Sequence, residues 1–269
     1  MQESALSVIS IGGLDPSGGA GVLADVKTFE SIGVAAAGVI TSVTYQNDIA
    51  FSGVNWLTNE QFFKQFEKLA ERFHFEYAKI GLIKHFSQLV YIVDFLREHN
   101  SEIKIIWDPI LKASAGFDFH KDEDFSHIYN VLKMLYLITP NLTETIIFSR
   151  ELSPEEACKK ASTHCNILLK GGHRESEKAT DILYINGKEN TLETDYINGA
   201  AKHGSGCVLS SAITAYLSLG FPILEACKLA KDYMQNFLQS SDHLLGKHNF
   251  QTPCKSSPKG RTLELRLEI

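Results

Sequence analysis

Residues 6–43 read LSVISIGGLDPSGGAGVLADVKTFESIGVAAAGVITSV, and this stretch decides the fold. Leu6 to Gly12 is an apolar run with the length of a buried strand. A glycine-rich turn follows. Ala20 to Ile32 then carries apolar residues at helical spacing and stops at Gly33, and Val34 to Val43 is a second apolar run. Strand, helix and strand in this order form a parallel unit, because antiparallel neighbours need only a short turn between them. Both strands are apolar throughout rather than alternating, so the sheet is covered on both faces.

The same alternation continues downstream. Thr58-Asn59-Glu60-Gln61 has the spacing of a capping box and opens a helix to about Phe73. Tyr77 to Ile83 reads as a strand, Ser87 to Glu98 as a helix and Ile103 to Trp107 as a strand ending at Asp108-Pro109. Leu135 to Thr139 is a strand ending at Pro140. Ser153-Pro154-Glu155-Glu156 is a second capping box, with proline at the first helical position. Ile167 to Lys170 is a strand ending at Gly171-Gly172. Asn186-Gly187 between two strand-like runs, Ile182–Ile185 and Glu189–Thr194, predicts a hairpin and an antiparallel edge. Two helices close the pattern, Cys207 to Leu219 and Pro222 to about Leu245. The reading is an α/β chain with a mostly parallel central sheet and a single domain over 1–250. Residues 251–269 form a polar tail broken by Pro253 and Pro258.

Composition narrows the function. The chain has 269 residues, 44% of them hydrophobic and 22% charged, which suffices for a large core. A net charge of −6 without a Lys/Arg cluster argues against nucleic acid. No apolar run reaches the length of a membrane span, and the first residues lack the pattern of a secretory signal. Five cysteines without a CxxC pair fit a reducing cytoplasm better than a disulfide framework or a zinc site.

The chemistry collects at the predicted carboxyl ends of the strands, where open α/β sheets bind ligands. His203-Gly204-Ser205-Gly206-Cys207 is a glycine turn running directly into a helix. Its free amides and the helix dipole make an anion hole, and phosphate is the usual guest. Cys207 in the mouth of that hole is expected to have an acidified thiol. His203 either orients the turn or contacts phosphate. Asp108, Asn141 and Glu144 suit Mg²⁺, which needs only one or two carboxylates beside phosphate oxygens. Lys170 before two glycines can reach a phosphate as a point charge. Gly19-Ala20-Gly21-Val22-Leu23-Ala24 also fits a dinucleotide fingerprint. Six residues separate it from the strand, however, and Gln46 rather than an acid ends the next strand. A Walker P-loop and the HExxH and GxSxG motifs are absent.

In order, the chain carries DPSGGAG at 15–21, Ala24-Asp25-Val26-Lys27-Thr28, Gln46-Asn47, Lys79-Ile80-Gly81 and Asp108-Pro109. Thr139-Pro140-Asn141-Leu142 with Glu144, Lys170-Gly171-Gly172-His173 and the turn at 203–207 follow. The set resembles the bacterial hydroxymethylpyrimidine/phosphomethylpyrimidine kinases of thiamine biosynthesis, a branch of the ribokinase-like superfamily, over about residues 5–250. The resemblance implies a three-layer α/β/α fold, a homodimer and two ATP-dependent phosphorylations at one site. By family pattern, Gln46 and Gly13 hydrogen-bond the aminopyrimidine, Thr44 and Leu82 line its pocket, and Asp25 lies near it. Asn141 and Glu144 belong to the phosphate and Mg²⁺ motif with Asp108 nearby, and Lys170, Gly171 and Gly172 lie along the nucleotide. Most of the superfamily has aspartate where Cys207 stands. Cys207 would then be the base for the acceptor hydroxyl, with the 204–207 amides carrying charge stabilisation. The chain departs from the pattern at Leu14, usually Ser or Thr, and at Ala201-Lys202 and Ser205, where NTHGTGC is usual. Pyridoxal kinase is the alternative within the superfamily. A Rossmann-type NAD-dependent dehydrogenase and a non-catalytic nucleotide-binding protein are the alternatives outside it.

Overall fold

A computed structural model describes residues 6–112, 116–120, 123–171 and 178–248. Among the described residues nine strands form one sheet: β1 (Val8–Leu14), β2 (Ala36–Gln46), β3 (Phe51–Trp56), β4 (Tyr77–Ile80), β5 (Lys104–Trp107), β6 (Leu137–Ile138), β7 (Asn166–Leu169), β8 (Lys178–Ile185) and β9 (Lys188–Asp195). Their order is β3-β2-β1-β4-β5-β6-β7-β8-β9. The six central strands run parallel, while β3 at one edge and the β8–β9 hairpin at the other are antiparallel. Gly187 and Asn186 both have positive φ, as the turn of that hairpin requires.

Period-two alternation divides the strands between two cores. Val8, Tyr77, Ile106, Leu137 and Leu168 pack under α1 (Gly21–Ile32), α6 (Ser205–Ser218) and α7 (Ile223–Gln239). Their neighbours Ile9, Ala78, Ile105, Ile138 and Ile167 face the opposite way, onto α2 (Asn59–Ala70), α3 (Phe86–His99), α4 (Ile128–Leu132) and α5 (Pro154–Ala161). The result is three layers, α/β/α. Both capping boxes form: Thr58 accepts from the Gln61 N–H and Ser153 from the Glu156 N–H, each with the reciprocal bond. Gly33 ends α1 in the left-handed region.

Several elements depart from expectation, among them the short helix α4 and the 3-10 turn at Glu144–Ile147, for which the sequence carries no sustained period. The strand expected at Leu135 to Thr139 is only two residues long. The last helix ends at Gln239 instead of near Leu245, because Ser240 and Ser241 turn their hydroxyls onto backbone carbonyls. β3 was not foreseen. Ser52 and Gly53 interrupt its alternation, and a bulge shifts its register beside Gln46. Gly172 and the tail at 251–269 lie outside the described residues.

Candidate active site

The carboxyl ends of β1, β2, β5 and β7 meet the N-terminus of α6. Two glycine turns are clasped together there. Asp15 is buried at the hub of the first. Its carboxylate accepts from the Ser17 N–H (2.9 Å), the Ser17 hydroxyl (2.8 Å) and the Ala20 N–H (2.9 Å), and it bonds His203 Nε2 at 2.9 Å. Gly204 has φ +72°, and a Cβ there would lie 2.1 Å from the Gly19 carbonyl oxygen. Glycine at 204 is therefore set by the contact between the turns as much as by any ligand. Of the two roles open to His203, orienting the turn or contacting phosphate, its ring takes up the first by bonding Asp15 and packing against Gly19.

Burial pushes the Asp15 carboxyl up, but the bonds from His203, Ser17 and Ala20 outweigh it and hold the group below its ordinary value. Such a carboxyl stabilises the fold above its unfolded pKa and loses that contribution as pH falls through the folded pKa. Asp15→Asn should therefore narrow the gap in melting temperature between about pH 7 and about pH 3. A gap of wild-type size in the variant would contradict this.

Lys202 is buried and donates to the carbonyls of Ser241 (2.5 Å) and His243 (2.6 Å), while the His203 N–H donates to the Leu244 carbonyl (2.9 Å). The departure at Lys202 thus braces the segment after α7 against the glycine turn.

Beyond the turn, Lys170 Nζ stands 2.8 Å from Asp108 Oδ1 and 3.6 Å from Glu144 Oε2. A Cβ on Gly206 would be 3.6 Å from Lys170 Nζ and 3.7 Å from Asp108 Oδ2, so α6 begins directly over this trio. Thr139 Oγ1 donates to Asp108 at 3.0 Å. Burial raises the Asp108 carboxyl, but the ammonium groups of Lys170 and Lys79 outweigh it and keep it below the usual range. Glu144 goes the other way. Burial and the Asp108 charge hold it up against the pull of Lys170. Burial opposes the Lys170 ammonium, yet Asp108 and Glu144 hold its pKa above the usual lysine value. Asn141 uses its side-chain oxygen to cap a 3-10 turn at Glu144–Ile147, accepting from the Thr143 N–H, the Thr143 hydroxyl and the Glu144 N–H. The Asn141 N–H donates to Glu144 Oε2 at 2.7 Å, which aims that carboxylate at Lys170. Among the described residues no three His, Cys, Asp or Glu side chains converge as a metal cage. Asp108 and Glu144 still offer the pair of hard oxygens that suits Mg²⁺ held jointly with phosphate.

On the other side of the turn, Gln46 Nε2 donates to Thr44 Oγ1 (2.9 Å), and Thr44 Oγ1 donates to the Leu14 carbonyl (2.9 Å). A Cβ on Gly13 would come within 3.1 Å of Leu82, so Gly13, Thr44, Gln46 and Leu82 do cluster.

Three expected roles change. Cys207 is buried, and desolvation pushes its thiol up to about 11 despite the nearby Lys79 ammonium, so the expected acidification is absent. Asp25 does not border an open pocket. It is fully buried beneath the site, paired with Lys79 Nζ at 2.9 Å and accepting from Ser10 (2.6 Å) and Ser211 (2.7 Å). Gly171 turns its N–H to Asp181, and a Cβ there would lie 2.0 Å from the Thr180 carbonyl oxygen; packing against β8 accounts for the glycine. Sequence reasoning assigned no role to Asp15, Lys79 or Asp181. A lone charge inside an apolar strand or helix face was the available signal for the last two, as it was for Asp25.

The three-layer sheet, with its donors gathered at the strand ends and a glycine turn opening α6, defines a ribokinase-like small-molecule kinase. The sequence matches the phosphomethylpyrimidine kinase family over residues 15–252, and the chain belongs to that family. It is 31% identical to the hydroxymethylpyrimidine/phosphomethylpyrimidine kinase of Rhizobium meliloti over 246 residues, covering 88% of this chain and 91% of that one. A phosphomethylpyrimidine kinase structure from Clostridium difficile superposes with a TM-score of 0.72 at 31% identity, over 86% of this chain and 98% of that one. An ADP complex of Bacillus subtilis pyridoxal kinase shares the fold with a TM-score of 0.79 at 24% identity, over 90% and 97% of the two chains.

Proposed function

We propose that this protein transfers the γ-phosphoryl group of ATP to the hydroxymethyl oxygen of 4-amino-5-hydroxymethyl-2-methylpyrimidine, and then phosphorylates the resulting monophosphate to the diphosphate, for thiamine biosynthesis. The observation that carries this is the convergence of Gly206, Lys170 and Asp108 at the start of α6, with Gly13, Thr44 and Gln46 gathered at the ends of β1 and β2. One half suits phosphates and the other a small polar ring. The working unit is a single domain over 1–250, acting as a cytoplasmic homodimer without nucleic-acid or membrane partners.

In the first step the acceptor oxygen bonds to the γ-phosphorus, the bond to the ADP oxygen breaks, and the hydroxyl proton leaves. The loose transition state of this reaction asks mainly for positioning and charge stabilisation. The amides of Gly206 and Cys207 at the start of α6 supply part of it, the Ser205 N–H being turned to the Lys202 carbonyl at 3.4 Å, and the Lys170 ammonium supplies a mobile positive point beside them. Asp108 and Glu144 would hold Mg²⁺, which when bound neutralises phosphate charge. Gln46 and the Gly13 backbone orient the pyrimidine, with Thr44 and Leu82 at its sides. Asn141 acts through Glu144.

With its thiol pushed up to about 11, Cys207 is ionised in only about one molecule in 10⁴ near pH 7. It contributes little as a ready base. Cys207→Ala should slow the first phosphorylation by about tenfold, at or below the lower end of general-base effects. The second should slow less, because a phosphate monoester acceptor with a pKa of ~6 is already ionised. Cys207→Asp should retain first-step activity. Equal losses in both steps for Cys207→Ala would remove Cys207 from proton transfer. The function itself is tested by ³¹P NMR of the products: a monoester signal followed by a diphosphate supports it, and ATP consumed without either refutes it.

A further inference from the structure

We infer that Asp181, held by Lys231, is the positioning residue for Lys170: a buried ion pair between α7 and β8 fixes the peptide that aims the phosphate-facing ammonium. This rests on the role proposed for Lys170. Lys231 Nζ lies 2.7 Å from Asp181 Oδ2, and both side chains are more than nine-tenths buried. Lys231 also donates to the Ala179 carbonyl at 3.1 Å. The other carboxylate oxygen, Asp181 Oδ1, accepts from the Gly171 N–H at 2.9 Å. Gly171 directly follows Lys170, whose own N–H donates to the Pro140 carbonyl at 2.8 Å. The amides on both sides of the Lys170 α-carbon are therefore anchored, one to the end of β6 and the other to Asp181.

The sheet explains why a side chain does this work. The β7–β8 ladder ends at the pair Leu169 and Ile182. The Gly171 N–H lies one step beyond, and the Asp181 carboxylate takes it up. Thr180 closes the approach from β8, since its carbonyl oxygen would lie 2.0 Å from a Cβ at Gly171.

Stability alone is a poor account of the pair. Burying two charges costs desolvation, and well-packed apolar residues of similar volume usually serve the fold as well or better. A carboxylate gives what an apolar pair cannot, a short directional bond to one chosen N–H. Among the described residues no hydrogen bond or ion pair joins Asp181 or Lys231 to Asp108, Lys170 or Glu144. Their influence passes through the Gly171 peptide.

The test pairs steady-state kinetics with calorimetric binding of a non-hydrolysable ATP analogue and with thermal melts. Asp181→Ala alone strands the Lys231 ammonium in the core, so the decisive variant is Asp181→Ala/Lys231→Met, which removes both charges. It should melt near the wild-type temperature, lose about tenfold in kcat with the acceptor KM within about twofold, and bind the analogue several-fold more weakly. Asp181→Asn/Lys231→Met keeps an oxygen for the Gly171 N–H and should recover most of both losses. A double Ala/Met variant with wild-type kcat and analogue affinity would overturn the inference, as would an Asn/Met variant no better than Ala/Met. A wild-type protein that binds the analogue but leaves the pyrimidine alcohol unphosphorylated counts against the acceptor assignment alone, and the analogue series still decides the role of Asp181.

Discussion

Lys170→Met should lower kcat by about 10²–10³-fold, the size of effect seen when one preorganised donor to a developing charge is removed. In the structure its ammonium bridges Asp108 and Glu144 at 2.8 and 3.6 Å, beside the first turn of α6. Removal takes a positive charge from the nucleotide side and leaves two carboxylates facing each other. The acceptor KM should change little, because Gln46 and Thr44 are held by each other and by the Leu14 carbonyl, and not by Lys170. The fold should survive at a lowered melting temperature, since the backbone bonds of Lys170 and Gly171 do not involve the side chain while Asp108 loses a buried counter-ion. A loss in kcat of less than about fivefold would assign the phosphate contacts to the helix terminus alone and reduce Lys170 to a structural counter-ion.

Lys79→Met should be strongly destabilising. Lys79 Nζ and the Asp25 carboxylate pair at 2.9 Å, with both side chains wholly inaccessible. Taking away one partner leaves a buried charge uncompensated, which costs about 3–5 kcal/mol. For a chain of this size that corresponds to a fall of about 5–10 °C in melting temperature. Asp25→Leu/Lys79→Met removes both charges and should recover most of the loss, although Ser10 and Ser211 lose the carboxylate they donate to. Thermal melts of the two variants check this. A Lys79→Met melt within about 2 °C of wild type would show that the pair is not what joins β1, β4, α1 and α6 beneath the site.

What the sequence made legible follows from where information is local. The β1–α1–β2 unit was readable because buried parallel strands are apolar runs and Gly33 stops the helix between them. Thr58 and Ser153 announced their helices because a capping box is written within four residues. The hairpin at Asn186-Gly187 was readable because few other residues accept that turn. β3 and the turn at Glu144–Ile147 are short and carry no sustained period, so pattern reading passed over them. The strand-end rule brought Gly206, Lys170 and Asp108 to one rim in advance, and the family resemblance supplied roles for them. Environment was harder. His203 bonds Asp15 across 188 residues, Lys79 bonds Asp25 across 54 and Lys231 bonds Asp181 across 50. None of these pairs has a spacing rule, because topology alone brings them together. The thiol of Cys207 was misjudged for the same reason. A helix N-terminus is visible in sequence, but the depth at which it is buried is not.

The role proposed for the donors around the glycine turn is phosphoryl transfer to a hydroxymethylpyrimidine. The most direct measurement is a coupled ADP-release assay on the wild-type protein, comparing kcat/KM for hydroxymethylpyrimidine, its monophosphate and pyridoxal. Turnover of the first two is expected, with pyridoxal the poorest acceptor. Turnover of pyridoxal alone would contradict that role.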